Sequence, residues 1–264
     1  MTNLFHYDFF CNALAAVVII AIASSVIGTY IMTRRLVAIS GGITHACFGG
    51  LGLGYFLGLN PIAMAAAVAV ASGLGVEWMS GRARVREDSA IAVIWSLGMA
   101  AGVIFVFLTP GYVPELNTFL FGNLLTVSHA DLIAFAVYTV ALLAFYFRKR
   151  RVIIACAFDR DFARVIHLPV GFINCLMTVF IAVGIVLTIR LIGIMLLMSM
   201  LTLPQMTAEL FARRFDGIAM LSCAVSVACS VGALLLATVV DVPCSALIVL
   251  LQAAVYFIGR LIAR

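Results

Sequence analysis

Apolar residues run through this chain in long stretches, and the few polar positions between them mark where helices should end. The runs predict helices at about 12–33, 37–58, 61–80, 90–108, 131–147, 170–189, 191–210, 218–240 and 244–261, separated by Gly, Pro or charge. Each is close to the roughly 20 apolar residues that a hydrocarbon core about 30 Å thick demands. The pattern describes an all-α polytopic membrane protein of about nine transmembrane helices, a single transmembrane domain over residues 1–264. An eight-span arrangement stays open, because Pro204 falls inside 191–210 and Arg190 leaves room only for a tight turn before it. A different pattern occupies about 157–168, where Phe158, Phe162, Val165 and Ile166 recur at helical spacing with Asp159, Arg160, Asp161 and Arg164 interleaved. This predicts a short amphipathic helix at the membrane surface, which the residues alone leave open as an interfacial anchor or a docking element.

Composition supports the reading: only 10% of residues are charged, against about 25% in soluble domains. A net charge of +5 could suggest nucleic acid, but the places where Lys and Arg fall explain it better. They cluster at Arg34 and Arg35, at Arg82, Arg84 and Arg86, from Arg148 to Arg151, at Arg160 and Arg164, at Arg213 and Arg214, and at Arg260 and Arg264. Nine spans with the N-terminus outside and the C-terminus cytoplasmic put 15 of the 16 basic residues inside, Arg190 being the exception. The opposite loops carry Asp8, Glu115, Asp131 and Asp241. The surroundings are therefore a lipid bilayer, and no nucleic-acid partner is expected. Residues 1–10 hold no Lys or Arg, so the first apolar run reads as a retained span rather than a cleaved signal peptide. Seven cysteines, odd in number and without a C-x-x-C pair, read as apolar packing residues.

Several kinds of chemistry are missing. The single lysine, Lys149, lies in a basic run, and no phosphate-binding G-x-x-x-x-G-K-[ST] loop exists. Neither a G-x-S-x-G elbow nor an H-E-x-x-H pair is present, so the chain reads as a conduit and not as an enzyme. A secondary carrier coupled to protons or sodium is the competing class, and such carriers place ionisable groups at mid-membrane. Glu77 and Glu209 fall near span ends, Asp131 and Asp241 at boundaries, and only His45 is central.

The motifs carry a family resemblance. The stretch Arg34 to Gly54, with Thr44-His45-Ala46 at its centre, resembles the "SHA" region in permeases of zinc, manganese and iron importers of the ATP-binding-cassette class. Arg86-Glu-Asp-Ser-Ala-Ile91 is similar to that family's "REDTAI" motif, and Leu120-Phe-Gly-Asn-Leu-Leu-Thr-Val-Ser128 to "LFGSLLTVS". Phe158-Asp-Arg-Asp-Phe-Ala163 with Leu168-Pro169 resembles "FDPEFA…LP", and Arg190 to Ser199 resembles "RLVGVLLVSA". Asp241-Val-Pro243 stands where the family has its last outer turn. The resemblance implies a cobalamin-importer-like permease fold in a bacterial inner membrane, working as a homodimer with cytoplasmic ATP-binding subunits and an extracytoplasmic metal-binding protein. It implies transport of a divalent metal ion, zinc, manganese or iron, without a permanently bound cofactor. An importer of a metal chelate is a variant of the same reading. It also makes the 157–168 helix the ATPase-coupling element, through Phe158, Asp159, Asp161, Phe162 and Arg164.

His45 stands nine residues beyond Leu36, which at 1.5 Å per residue is about 13.5 Å into the membrane. From the residues alone it suits a satisfied packing histidine; the resemblance makes it a contact for the transported metal, with Thr44 and Cys47 as possible neighbours. Relatives carry an acidic residue four positions earlier, on the same helix face, where this chain has Gly41. That removes a hard oxygen ligand of the kind manganese prefers. Gly50, Gly54 and Gly58 recur every four residues, a small-residue stripe suited to close helix packing. Met195, Met198 and Met200 read as core fillers. His6, His129 and His167 read as solvated or interfacial.

Overall fold

The computed structural model describes residues 8–83, 85–110, 122, 127–240 and 242–263. His6, Arg84, Glu115, Asp241, Arg264 and most of the 120–128 motif lie outside the described residues, as does the side chain of Asp8. Among the described residues there are ten helices and no strand. In chain order they are α1 (Asp8–Thr33), α2 (Val37–Leu57), α3 (Pro61–Gly81), α4 (Glu87–Leu108), α5 (His129–Phe158), α6 (Arg160–Val165), α7 (Val170–Met200), α8 (Leu203–Phe211), α9 (Phe215–Val240) and α10 (Cys244–Ile262). Among the described residues eight stretches are long and apolar enough to cross a membrane, with 170–211 counted as one.

The distribution of residues is that of a membrane protein. Leu97, Val103, Phe107, Val140 and Leu261 face outward, while Ser24, Thr29, Ser40, Thr44, Gln205 and Gln252 are buried. In lipid the backbone must satisfy itself, and buried hydroxyls follow suit by donating within their own helix. Thr29 Oγ1 donates to the Ser25 carbonyl at 2.7 Å, and Thr139 Oγ1 to that of Phe135 at 2.8 Å.

Two compact units divide the chain, one formed by 1–33, 117–149 and 187–264, the other by 34–116 and 150–186. In the second unit, α2 packs against both α3 and α4. The contacts are backbone to backbone: a Cβ on Gly50 would lie 2.6 Å from the Ala65 Cα, and one on Gly54 2.6 Å from the Pro61 Cα. Another face of α2 meets α4, where a Cβ on Gly49 would come within 2.9 Å of the Gly98 carbonyl and one on Gly52 within 2.6 Å of that of Gly102. Small residues allow this approach, which in a bilayer supplies van der Waals contact where no hydrophobic drive exists.

Gly58 departs from the predicted stripe. It is the left-handed cap of α2 (φ 66°), with nothing near a Cβ position. Its N–H donates to the Tyr55 carbonyl, and the Leu59 N–H reaches back to Gly54 at 2.9 Å, a Schellman closure that glycine adopts without strain. Asn60 then caps α3, its Oδ1 accepting from the Ile62 and Ala63 N–H groups.

In the first unit, α1, α8, α9 and α10 pack together. Gln205 Nε2 donates to the carbonyls of Ser24 (2.9 Å) and Met200 (3.2 Å), and Ser199 Oγ donates to Gln252 Oε1. Side-chain hydrogen bonds of this kind are what joins helices in a medium as apolar as the helices themselves.

Two sequence expectations about helix ends are corrected. The fifth helix does not stop at 147 but runs through Arg148–Arg151 to Phe158, because Ile153, Cys156 and Ala157 continue a buried face at helical spacing and Lys and Arg are good helix formers. The break expected at Arg190 falls instead at Gly193, whose backbone (φ 77°, ψ 172°) is open essentially to glycine alone. Arg190 stays helical, its charge paired with Asp131 at 3.0 Å. Pro204 opens α8 at its first turn, where a missing N–H is harmless.

Candidate functional site

His45 sits near the middle of α2, half-buried on the side that meets α4. Its ring stacks on the Trp95 indole with centroids 4.5 Å apart and planes 11° off parallel, and Phe48 lies 6.1 Å away on its own helix. The Nδ1 atom is buried and has no hydrogen-bond partner among the described residues. Thr44, fully buried, likewise leaves its Oγ1 without one. An unpartnered polar atom inside a helix bundle carries a desolvation penalty of about 1–3 kcal/mol. Gly41 is buried and supplies no side-chain donor, and Cys47 is buried too. Among the described residues no three His, Cys, Asp or Glu side chains converge. The described residues of one copy therefore bring one imidazole to this place and no preformed cage.

The short amphipathic helix is α6, six residues long, with residues 157 and 158 belonging to the end of α5. Asp159 starts it by capping: its Oδ1 accepts from the N–H groups of Asp161 (3.0 Å) and Phe162 (2.9 Å). His167 ends it in the left-handed region (φ 58°), with the Leu168 N–H closing on the Ala163 carbonyl at 3.0 Å. Phe158, Phe162, Val165 and Ile166 are all exposed, whereas Ala163 is completely buried. Arg164 pairs with Asp161 at 3.1 Å in full view of solvent, a contact of little energetic weight.

A charge cluster absent from the sequence reading joins four segments of the same unit. Arg34, just before α2 and with its side chain 2% exposed, donates Nη1 to Glu77 Oε1 at 2.8 Å and Nη2 to Glu87 Oε1 at 3.2 Å. Glu77 ends α3 and also accepts from Thr178 Oγ1 at 3.3 Å. Glu87 opens α4, and its Oε1 accepts from Arg160 Nη1 (2.5 Å) and Ser80 Oγ (3.3 Å) as well. The one available signal was Glu77: an acid in an apolar span needs a cationic partner, but nothing in the sequence says which.

The remaining candidates scatter. His129 and His167 are exposed on separate elements, and Met195 is exposed while Met200 is buried, so the three methionines build no common face.

The described residues thus form a bundle of long apolar helices with an imidazole near the middle of one of them. The chain belongs to the ABC 3 transport family, which matches it over residues 6–263. It is 35% identical over 242 residues to the "Probable metal transport system membrane protein" of Chlamydia pneumoniae, covering 89% of this chain and 83% of that one. It is 27% identical to the manganese transport system membrane protein MntC of Listeria innocua, over 100% and 94% of the two chains. Among solved structures, PsaBC from Streptococcus pneumoniae in complex with Fab superposes with a TM-score of 0.84 at 25% identity, over 98% of this chain and 93% of that one. The fold is thus that of ATP-binding-cassette permeases, in which ATP hydrolysis belongs to a separate subunit.

Proposed function

We propose that this chain is the permease subunit of an ATP-driven importer of a divalent transition-metal ion, and that His45 contacts the ion on its way through. The observation that carries the reading is the His45 ring, held by stacking on Trp95 with its Nδ1 buried and unpartnered. A neutral imidazole is a borderline ligand suited to zinc and iron, and less to manganese unless oxygen donors accompany it. With Gly41 in place of an acid, those donors would come from a second copy of the chain, from Thr44, or from water. The names of the relatives, one of them a manganese system, support the ion class; zinc, iron and manganese remain to be ranked by experiment.

In this reading the permease is a homodimer, α6 lies at the cytoplasmic face against the ATPase subunit, and a metal-binding protein delivers the ion from outside. The exposed Phe158, Phe162, Val165 and Ile166 support a docking role for α6, since apolar side chains beside a charged rim suit a protein partner. The test is ATP-dependent uptake of radioactive zinc, iron and manganese into vesicles holding the permease, its ATPase and its binding protein. His45→Ala should abolish uptake while the ATPase still copurifies. Uptake that ignores ATP would favour a secondary carrier, and full uptake by His45→Ala would remove that residue from the pathway.

A further inference from the structure

The side of α6 opposite its exposed apolar residues is where the structure adds most. Arg160 is the basic residue of α6 that points inward, and its Nη1 bonds Glu87 at the first turn of α4. Its Nη2 is buried without an acceptor among the described residues, where the Nη1 bond ties it to α4. The same Glu87 oxygen accepts from Arg34, in the short connection between α1 and α2, and Arg34 in turn holds Glu77 near the end of α3. The four charges sum to zero, two arginines against two glutamates. They gather at one end of α2, α3 and α4, and farther along α2 meets each of the other two backbone to backbone.

From the geometry we infer that Glu87 is the positioning residue that transmits movement of α6 to the helices carrying the ion path. Trp95 lies on α4 eight residues beyond Glu87, about 12 Å along the axis. His45, stacked on Trp95, lies on α2 beyond Arg34. A helix is stiff over such a distance, so a displacement applied at the Glu87 carboxylate moves Trp95 and, through the stack and the Arg34 bond, His45. The charged bond suits this role: one charge-assisted hydrogen bond holds α6 to α4 firmly, yet it can re-form along a shifted arginine in a way that packed backbone cannot. Phe158, Phe162, Val165 and Ile166 would receive the push, and Arg160 passes it inward.

This inference rests on the transport reading, and the two are tested apart in one assay. Purified permease, ATPase and binding protein are reconstituted in vesicles, and ATP hydrolysis and radioactive zinc or manganese uptake are measured on the same sample. If the wild type shows no ATP-dependent uptake, the transport reading fails and this inference falls with it. With the wild type active, Arg160→Gln should keep ATPase copurification and hydrolysis while ions moved per ATP drop about tenfold, as expected for losing one charge-assisted bond. Glu87→Gln should do the same. Arg160→Lys, which keeps the charge and can make the single bond, should restore most of the ratio. An unchanged ratio in Arg160→Gln overturns the inference, as does loss of ATPase copurification, which would make Arg160 a docking residue only. Should Arg160→Gln fail to reach the membrane, Arg160→Lys decides: a wild-type ratio supports the charge link and a collapsed ratio refutes it.

Discussion

Glu77→Gln isolates the charge of the buried cluster from its shape. Arg34 and Glu77 are 2.8 Å apart with side chains 2% and 13% exposed. At an effective dielectric of about 20, their gross attraction is about 6 kcal/mol. Much of that is offset by the desolvation of both ions, and glutamine preserves an Oε1 acceptor for both Arg34 Nη1 and Thr178 Oγ1. What remains is the charge-assisted part of the bond and the imbalance it leaves: these four side chains then carry +1 instead of zero. We expect a loss of about 2–3 kcal/mol, which for a chain of this size is a fall of roughly 4–8 °C in Tm. The assay is the temperature at which purified permease in detergent loses its monodisperse peak. The double variant Arg34→Met, Glu77→Leu removes both charges and leaves the Glu87–Arg160 pair neutral, so it should lose less than the sum of its singles. A Glu77→Gln protein that melts within about 1 °C of the wild type, well inside the shift that even one kcal/mol would give, refutes the argument that Arg34 depends on this partner.

Other substitutions read the remaining features. Gly98→Val should strip most properly folded permease from the membrane, because its Cβ would run into the Ala46 backbone on α2; overpacking there is worth about 1–3 kcal/mol or more, and the monodisperse yield reports it. Gly193→Ala should destabilise by about 1–3 kcal/mol from backbone strain alone, lowering the same melting temperature. Phe162→Asp should leave that temperature unchanged, since the side chain is 56% exposed, but should abolish copurification of the ATPase. Asp159→Ala should weaken copurification only in part, because it removes a helix cap worth about 1 kcal/mol and no contact surface.

The spans were legible in the sequence because each depends on about 20 consecutive residues, and lipid leaves the backbone no alternative to a helix. What the apolar pattern could not deliver was where helices continue through charge. Arg148–Arg151 look like a loop until Ile153, Cys156 and Ala157 are seen to stay buried beyond them. Arg190 looks like a boundary until Asp131 is found beside it. In the same way, Gly50, Gly54 and Gly58 share a spacing, but only the first two meet another helix, because the third is spent on turning the chain. The charge cluster was hidden by distance along the chain: Arg34 and Glu77 are 43 residues apart, and Glu87 and Arg160 are 73 apart. Periodicity cannot see such pairs.

The features that were hard to read are also the ones that define how the site can move. Gly49 against Gly98, Gly52 against Gly102 and Gly50 against Ala65 bring α2 into backbone contact with both neighbours. Interfaces of that kind are close-packed, and sliding one helix past another would open voids or force clashes at every turn. In the proposed coupling, His45 and Trp95 therefore keep their 4.5 Å stacking while α2, α3 and α4 are displaced together. The block then needs a handle, and at the end where α6 lies the described residues offer a cluster of opposite charges in place of packed glycine. A handle made of one shared carboxylate can be gripped and released without disturbing the packing it pulls on. That is why Glu87, and not a residue nearer the imidazole, is the position at which hydrolysis and transport should come apart.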